Sequence, residues 1–407
     1  MTNTDQQGTI RAGWMADGSG SPLRQNVVLE IAESRIIRLF EASGAETAPT
    51  GTDLSDCLVL PGLIDAHVHL FMSGTADPAT REWQLKAPFE TMRPVIATHL
   101  DRQLASGVAA VRDGGDYAAH TLRFKRNGRT HGHSPLTLHA AGRAWRRAGR
   151  YGRLIGRPPS EGQTLARAVA FSREPVDHVK IVNSGLNSLK QFGRETAPQF
   201  TVAELRQAVE TAVAAGRTVM VHANGRAPVR RALAAGCHSI EHGFFMGADN
   251  LSRLAETGTF WVPTAVTMQG YHRHATPGSP EAEVSRRNLD HQLDQMRRAR
   301  ALGVKIAAGT DAGTLGVHHG RALQEEIVLL LAAGCSVPEA IQCATGHGAD
   351  LMGLKETGRL APGCRATLLA LPGGPRDFPD SLATPVWFMV DGRTVFDRRP
   401  ARPADAS

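Results

Sequence analysis

Eight times along the chain a short apolar run gives way to a polar or Gly-rich turn, with stretches of helical periodicity between the runs. The runs cover 60–69, 107–113, 136–142, 176–182, 217–222, 238–242, 260–264 and 304–310. The clearest helical stretches are 202–214, apolar at Leu205, Val209, Ala212 and Val213, and 323–331. A charged helix over about 281–302 separates the seventh unit from the eighth. Strand then helix, repeated eight times, predicts an α/β fold, a (β/α)8 barrel of the TIM type. Such barrels carry their chemistry at the C-terminal ends of the strands, so those positions have the strongest functional reading.

The two ends fall outside this alternation. Residues 8–58 contain β-like runs at 26–31 and 34–40, closed by a turn at Ser43-Gly44. Residues 357–397 contain further runs at 366–371 and 385–390, and Asp391-Gly392 is a hairpin signal before 393–396. Strands at both termini predict a small composite β-sandwich built from 1–58 and 357–407 around a barrel at 59–356. The Pro/Arg/Ala-rich tail from Arg398 reads as frayed.

With 42% apolar and 21% charged residues, the composition is that of a globular chain. Lys and Arg number 46 against 39 Asp and Glu, a formal charge of +7 carried mostly by scattered Arg. A nucleic-acid binder concentrates such charge on one face, so no nucleic-acid partner is expected. The one dense cluster is Arg143, Arg146, Arg147, Arg150, Arg153 and Arg157. Five cysteines, none in a C-x-x-C pair, argue against a disulfide framework. The first 22 residues are polar, without the apolar core of a signal peptide, and no apolar run reaches the roughly 18 residues of a membrane span. A cytoplasmic protein with no membrane partner is the expectation.

The first strand ends in Ile64-Asp65-Ala66-His67-Val68-His69. Two His two residues apart share a face of a strand, and imidazole is a favoured ligand of zinc-like metals. His222, His242 and Asp311 stand at the ends of the fifth, sixth and eighth runs, each where apolar residues give way to Ala, Gly or Asn. One such residue alone reads equally as a hydrogen-bonded His or a helix-capping Asp. Four such positions in barrel order are hard to ascribe to caps.

Taken together, these segments resemble the metal-dependent hydrolases of the amidohydrolase superfamily. That pattern is His-x-His on strand one, Lys on strand four, His on strands five and six, and Asp on strand eight. This chain supplies His67, His69, Lys180, His222, His242 and Asp311 in that order. The opening Leu60-Pro61-Gly62-Leu63-Ile64-Asp65, the ending Gly358-Arg359-Leu360-Ala361-Pro362-Gly363, and the segments Val111-Arg112-Asp113-Gly114-Gly115 and Ser239-Ile240-Glu241-His242-Gly243 are similar to the imidazolonepropionase-like and Xaa-Pro dipeptidase-like branch. The resemblance implies two divalent metal ions of the zinc type. His67, His69 and Asp311 would hold one, and His222 and His242 the other. A CO2-derived carbamate on Lys180 and a hydroxide would bridge them, with Asp311 as the catalytic base and acid. His178, on the same strand face as Lys180, competes with it as a ligand. The implied reaction is hydrolysis of an amide-type C–N bond in an N-acyl amino acid, dipeptide or cyclic amide. A mononuclear deaminase or cyclic-imidate hydrolase of the same fold is the alternative, and a non-catalytic scaffold is the alternative of another class. Barrels of this family often assemble into homo-oligomers, but nothing in the sequence marks an interface.

Specificity belongs to the loops after the strands. Arg146 and Arg147 in the basic segment after strand three read either as a bidentate clamp for a substrate carboxylate or as a solvated loop. Tyr151 in that segment, Asn183 after strand four, Asn224 after strand five and His318 after strand eight are further candidates for contact with a small-molecule substrate. Tyr271, His272 and His274 follow strand seven, and Trp145 either stacks on an aromatic substrate or is simply buried. The Gly-Gly-His-Gly-like turn and the strand-five Tyr expected of dipeptidase-like relatives are here replaced by residues 146–152 and by Asn224.

Overall fold

The computed structural model describes residues 8–42, 51–127 and 135–400. The turn expected at Ser43-Gly44, the residues His131 and His133, and the tail beyond 400 lie outside the described residues. The chain opens with three antiparallel strands, β1 (Gly8–Met15), β2 (Arg24–Ala32) and β3 (Arg35–Glu41). A fourth, β4 (Thr52–Pro61), lies parallel to β1 and leads through Gly62 into the barrel. A Cβ at Gly62 would stand 2.7 Å from that of Ala109, so the tight passage admits only glycine.

The barrel strands follow: β5 (Leu63–Val68), β6 (Val108–Asp113), β7 (Thr137–Ala140), a short pair β8 (Ala144–Trp145) and β9 (Gly156–Arg157), then β10 (His178–Val182), β11 (Thr218–Ala223), β12 (Ser239–His242) and β13 (Phe260–Val262). All pair in parallel, in the orders β5-β6-β7 and β13-β12-β11-β10-β8-β9. Between β7 and β10 the seam is held by Asp177, whose amide donates to the Ala140 carbonyl (3.1 Å) and whose carboxylate accepts the Ala140 amide (2.7 Å). The pair β8–β9 is a local excursion of the basic segment after strand three, which the alternation of apolar runs did not announce.

The eighth position also differs from a plain strand. Residues 304–312 close the ring through isolated bridges, Trp261 with Ile306 and Val68 with Ala312. The amides of both Thr310 and Asp311 donate to the single carbonyl of His67, at 3.1 and 2.7 Å, so two residues here face one. That extra residue breaks the regular ladder, as a bulge does. Asp65 secures the irregular stretch by accepting the Thr310 amide (3.0 Å) and hydroxyl (2.7 Å).

The helices form where the periodicity places them. Val202–Ala214 starts with a capping box, the Thr201 hydroxyl taking the Glu204 amide while the Glu204 carboxylate takes the Thr201 amide. Pro280–Ala301 is capped by Ser279 and begins with proline, which has no amide hydrogen to leave unpaired. Their apolar faces cover the strands in one continuous core that includes Val179, Ile181, Leu205, Val209, Val221, Ile240 and Trp261. Among the described residues no helix is long and apolar enough to cross a membrane.

After the barrel come β14 (Leu368–Pro372), β15 (Trp387–Val390) and β16 (Arg393–Asp397). They join the leading strands in one seven-stranded sheet of order β16-β15-β14-β4-β1-β2-β3. The sheet folds over on itself. Ser34 and Ile36 at the start of β3 exchange backbone hydrogen bonds with Gly363, Cys364 and Ala366 ahead of β14. Ile10, Leu29, Leu54, Leu368 and Trp387 fill the space between its halves, so one curled sheet provides the two layers of the expected sandwich. The hairpin β15–β16 turns at Asp391 (φ 48°) and Gly392 (φ 73°), the left-handed pair a two-residue turn requires.

Candidate metal centre

Five barrel elements converge at their C-terminal ends. His67 comes from β5 with His69 just beyond it, Lys180 from β10, His222 from β11, His242 from β12, and Asp311 from the irregular eighth position. Asp311 Oδ1 stands 3.3 Å from His69 Nε2 and 3.5 Å from His67 Nε2. Lys180 Nζ is 3.4 Å from that same His67 nitrogen. Donor atoms of His67, His69 and Asp311 all lie within 4.8 Å of one another. The ring of His242 is centred 4.7 Å from His222 and 5.1 Å from His67. The structure thus gathers all six predicted residues around one buried space, which opens into a cavity of about 180 Å³.

Outer partners decide which nitrogen each imidazole offers. His67 Nδ1 stands 2.9 Å from Glu241 Oε2. His69 Nδ1 is 2.8 Å from the Gly115 carbonyl, and His242 Nδ1 is 2.7 Å from the Thr264 hydroxyl. Each arrangement leaves Nε2 free for the centre. His222 is reversed: its Nε2 lies 3.1 Å from the Gly185 carbonyl, so Nδ1 carries the free lone pair. Glu241 is itself fixed by Arg112, whose Nη2 donates to Oε1 at 2.9 Å. Arg112 also donates to the Ala66 carbonyl (2.8 Å) and the Ser239 hydroxyl (3.1 Å), and is 1% exposed.

Protonation states follow from burial. It pushes His67 and His222 down to about 4, assisted by Lys180 nearby. Burial and the neighbouring His222 hold His242 well below the usual range. His69 departs from this trend: burial lowers it too, but its contact with Asp311 carries it upward. For Asp311, burial opposes the charge, yet the hydrogen bond from His69 and the surrounding imidazoles outweigh it and keep the carboxyl ionised. Burial brings the Lys180 amine down to about 8, and the side chain is 1% exposed. Neutral His67, His222 and His242, an ionised Asp311 and an amine of weakened proton affinity are forms that fit divalent cations, whereas His69, held upward by Asp311, would give up its proton to an incoming cation.

Local backbone strain sits at the same place. His242 (φ 64°), Thr264 (φ 48°) and Asp311 (φ 56°) are non-glycine residues in the left-handed region, at three successive strand ends. Such conformations cost on the order of 1–3 kcal/mol each and persist where the surroundings over-determine them. Here Gln292 Nε2 and Trp261 Nε1 hold the His242 carbonyl at 2.6 and 2.9 Å. Gly114 is set by space rather than torsion, since a Cβ there would meet His69 Cε1 at 2.8 Å and His67 Nε2 at 3.1 Å.

The substrate-contact expectations fare unevenly. Tyr151 and Asn224 line the cavity, and the Tyr151 ring is centred 5.5 Å from that of His222. Arg146, Arg147, Asn183 and His318 do not. Arg146 is spent on its own loop, donating to the carbonyls of Arg147 (3.2 Å) and Arg150 (3.3 Å). Arg147 faces the outside, paired with Glu204 at 2.7 Å and bonded to the Gln199 carbonyl. Arg143 and Arg157 both pair with Glu174, so with Arg147 half of the six arginines in the basic cluster are ion-paired around the β8–β9 excursion. The Asn183 side chain is buried between Pro228, to which it donates (3.0 Å), and the Phe200 amide, which it accepts (3.1 Å). His318 lines a separate surface cavity with Arg273, His274 and Arg321.

His178 is buried with neither ring nitrogen hydrogen-bonded among the described residues, and does not reach the cavity. Trp145 is buried beneath the Arg157 guanidinium, 4.8 Å from its ring centre. Of the three residues singled out after strand seven, Tyr271 alone lines the cavity. Sequence reasoning missed Glu241, Arg112 and Arg81. The first two lay inside quoted motifs, and charged residues within apolar strands were the available signal. The remaining wall is largely apolar, including Phe71, Met72, Leu186, Phe244 and Met268.

The sequence pattern of the amidohydrolase family matches residues 58–395. The chain is 26% identical to ochratoxinase of Aspergillus niger over 404 aligned residues, covering 90% of this chain and 81% of that one. It is 27% identical to imidazolonepropionase of Deinococcus deserti, covering 80% and 81%. The crystal structure of a Xaa-Pro dipeptidase with methionine bound in its active site superimposes with a TM-score of 0.78 at 27% identity, over 96% of this chain and 99% of that one.

Proposed function

The chain belongs to the amidohydrolase family and is a hydrolase of carbon–nitrogen bonds; we propose that it is a binuclear metalloenzyme that cleaves an amide-type bond in an N-acyl amino acid, a dipeptide or a cyclic amide. The observation that carries this reading is the convergence of His67, His69, Lys180, His222, His242 and Asp311 on one buried space. His67, His69 and Asp311 would hold one cation, and His222 and His242 the second. Lys180 would bridge them as a carbamate. Its buried amine has no hydrogen-bonded carboxylate among the described residues and gives up its proton more readily than a surface lysine. When bound, the metals, for which zinc suits this donor set, polarise the scissile carbonyl and lower the pKa of water.

The chain's own groups do the rest. Asp311 keeps Oδ1 toward the imidazoles, while Oδ2 accepts the Thr314 hydroxyl at 3.0 Å. Its carboxylate takes the proton of the attacking water and passes it to the leaving nitrogen. Burial raises the Tyr151 phenol above its usual pKa, so it stays protonated as a hydrogen-bond donor at the cavity wall. The apolar part of the lining, including Phe71, Met72, Leu186, Phe244 and Met268, would pack against a bound substrate and help to exclude bulk water. Ochratoxinase, imidazolonepropionase and Xaa-Pro dipeptidase among the relatives support the reaction class.

The test combines metal analysis with a panel of N-acyl amino acids, dipeptides, lactams and hydantoins. The wild type is expected to bind two metals per chain, and His222→Ala or His242→Ala one, with nearly all turnover lost and the fold intact. One metal in the fully loaded wild type would point instead to a mononuclear deaminase or cyclic-imidate hydrolase. Two metals and full activity in either variant would refute the ligand assignment.

A further inference from the structure

Arg81 lies on the helix Pro78–Gln84, in the connection that follows the first barrel strand. Asp77 caps that helix through the amides of Ala79 (3.3 Å) and Thr80 (3.0 Å), which fixes its start. Arg81 Nη1 donates to the Gly313 carbonyl (3.2 Å) and the Thr75 carbonyl (3.4 Å). The guanidinium is thereby tied to the loop two residues beyond Asp311. The side chain is partly buried and lines the cavity of the metal centre beside Leu85, Tyr271 and Thr314.

Arg81 combines two features that no other described arginine near the barrel mouth shares: it lines the cavity and it has no acid, whereas Arg146 and Arg150 also lack an acid but bond to backbone carbonyls away from the cavity. Arg143 and Arg157 share Glu174, Arg147 has Glu204, and Arg273 has Glu325. Among the described residues no carboxylate pairs with Arg81, and its Nε and Nη2 make no hydrogen bond. Among the described residues Lys180 is the only other Lys or Arg lining the cavity, and it belongs to the centre itself. Withdrawing a permanent cation from water into a largely apolar cavity is costly unless an anion meets it. Two carbonyls immobilise one nitrogen, and the Nε–Nη2 edge, which fits a carboxylate bidentately, is left open. Among the described residues the phenol of Tyr271, which lies close enough to feel the Arg81 charge, makes no hydrogen bond and offers a second donor on the same wall.

We propose that Arg81 binds a free carboxylate of the substrate, which selects N-acyl amino acids or dipeptides over neutral cyclic amides. The inference rests on the hydrolase reading above and deepens it. The anionic recognition that the sequence suggested for the basic cluster after strand three belongs instead to the helix after strand one.

The experiment compares N-benzoyl-L-leucine with N-benzoyl-L-leucinol, which replaces the carboxylate by a neutral alcohol and keeps a single amide bond. Metal-loaded wild type, Arg81→Met and Arg81→Lys are assayed for kcat and KM, with metal content checked in each. The wild type should show a KM for the acid at least about tenfold below that for the alcohol, or ~1.4 kcal/mol. Arg81→Met should raise the KM of the acid by that factor with a smaller fall in kcat, so that the acid-to-alcohol ratio moves toward one. Arg81→Lys should keep part of the preference. An unchanged KM for the acid in Arg81→Met, or an equal rise for both compounds, overturns the proposal. If the wild type cleaves neither compound, calorimetric titration of both into wild type and Arg81→Met answers by the same ratio. No wild-type preference for the acid in that titration would also overturn it. The substrate panel above tests the hydrolase reading separately.

Discussion

Replacing Glu241 by Gln separates the structural work of the buried carboxylate from its work on the metal centre. Glu241 is fully buried between Arg112 (2.9 Å) and His67 Nδ1 (2.9 Å). Burial opposes its charge, but Arg112 and then His67 outweigh that and hold it well below the carboxylate range. Glutamine keeps the shape and one acceptor and removes the charge, leaving the Arg112 guanidinium buried without an anion. Breaking one side of a buried pair costs about 3–5 kcal/mol. With an unfolding entropy near 2.1 cal/mol/K per residue, a chain of this length should lose roughly 4–6 °C in Tm. His67 also loses the group that fixes its tautomer, so metal affinity should fall about 10- to 100-fold. Differential scanning calorimetry of metal-free protein reads the first effect, and competition against a chelating indicator the second. Adding Arg112→Met should restore much of the Tm, because the unpaired charge is gone, but none of the metal affinity. A Tm within 1 °C of wild type together with unchanged metal affinity would refute the reasoning, and so would recovery of affinity in the double variant.

Lys180→Ala should abolish binding of the second metal, because it removes the proposed bridge and its charge. Short carboxylic acids are expected to restore some turnover and Lys180→Arg none, since a guanidinium does not give up its proton; both are read by metal analysis and steady-state rates. Gly114→Ala should weaken metal binding without unfolding the chain, because its Cβ would press on His69 and His67 at 2.8 and 3.1 Å, and chelator competition checks this. Glu326 accepts the Ala265 and Val266 amides, and burial raises its carboxyl to about 8. Its folded-state pKa exceeds the unfolded value, so the associated stability is full below about 4.5 and lost as pH rises through about 8. Glu326→Gln should therefore flatten the decline of Tm across that window, as a pH series of thermal melts would record. Arg147→Met should leave KM unchanged and cost under about 1 kcal/mol in denaturant melts, since its pair with Glu204 is solvent-exposed and outside the cavity.

The barrel and the strand-end positions of its candidate ligands were legible in the sequence because both follow from local order, while Lys180 was singled out by the family resemblance. A strand in such a barrel is short, apolar and followed by a turn, and its functional residue stands where the run ends. His222, His242 and Asp311 each occupy that place. The terminal hairpin was legible for a similar reason, since Asp391-Gly392 supplies the two left-handed residues its turn needs. Helix starts such as Thr201 with Glu204 likewise depend on four consecutive residues.

What only the tertiary structure decided concerns partners far apart in the chain. The eighth position is irregular because two amides compete for the His67 carbonyl and Asp65 reaches across to Thr310, some 245 residues away. Arg112 and Glu241 read as charges inside apolar strands until the closed ring sets them 2.9 Å apart behind His67. The six arginines after strand three look in sequence like a site for an anion. In three dimensions three of them pair with Glu174 and Glu204, from distant segments, and none of the six lines the cavity. Arg81, an isolated arginine in a polar helix, is the one left without an acid at the cavity wall. Local sequence fixes where a side chain leaves the backbone. Whether its charge is already satisfied depends on which distant acid the fold brings to it, and that is why strand-end positions could be read from the chain and an unpaired arginine at the cavity wall could not.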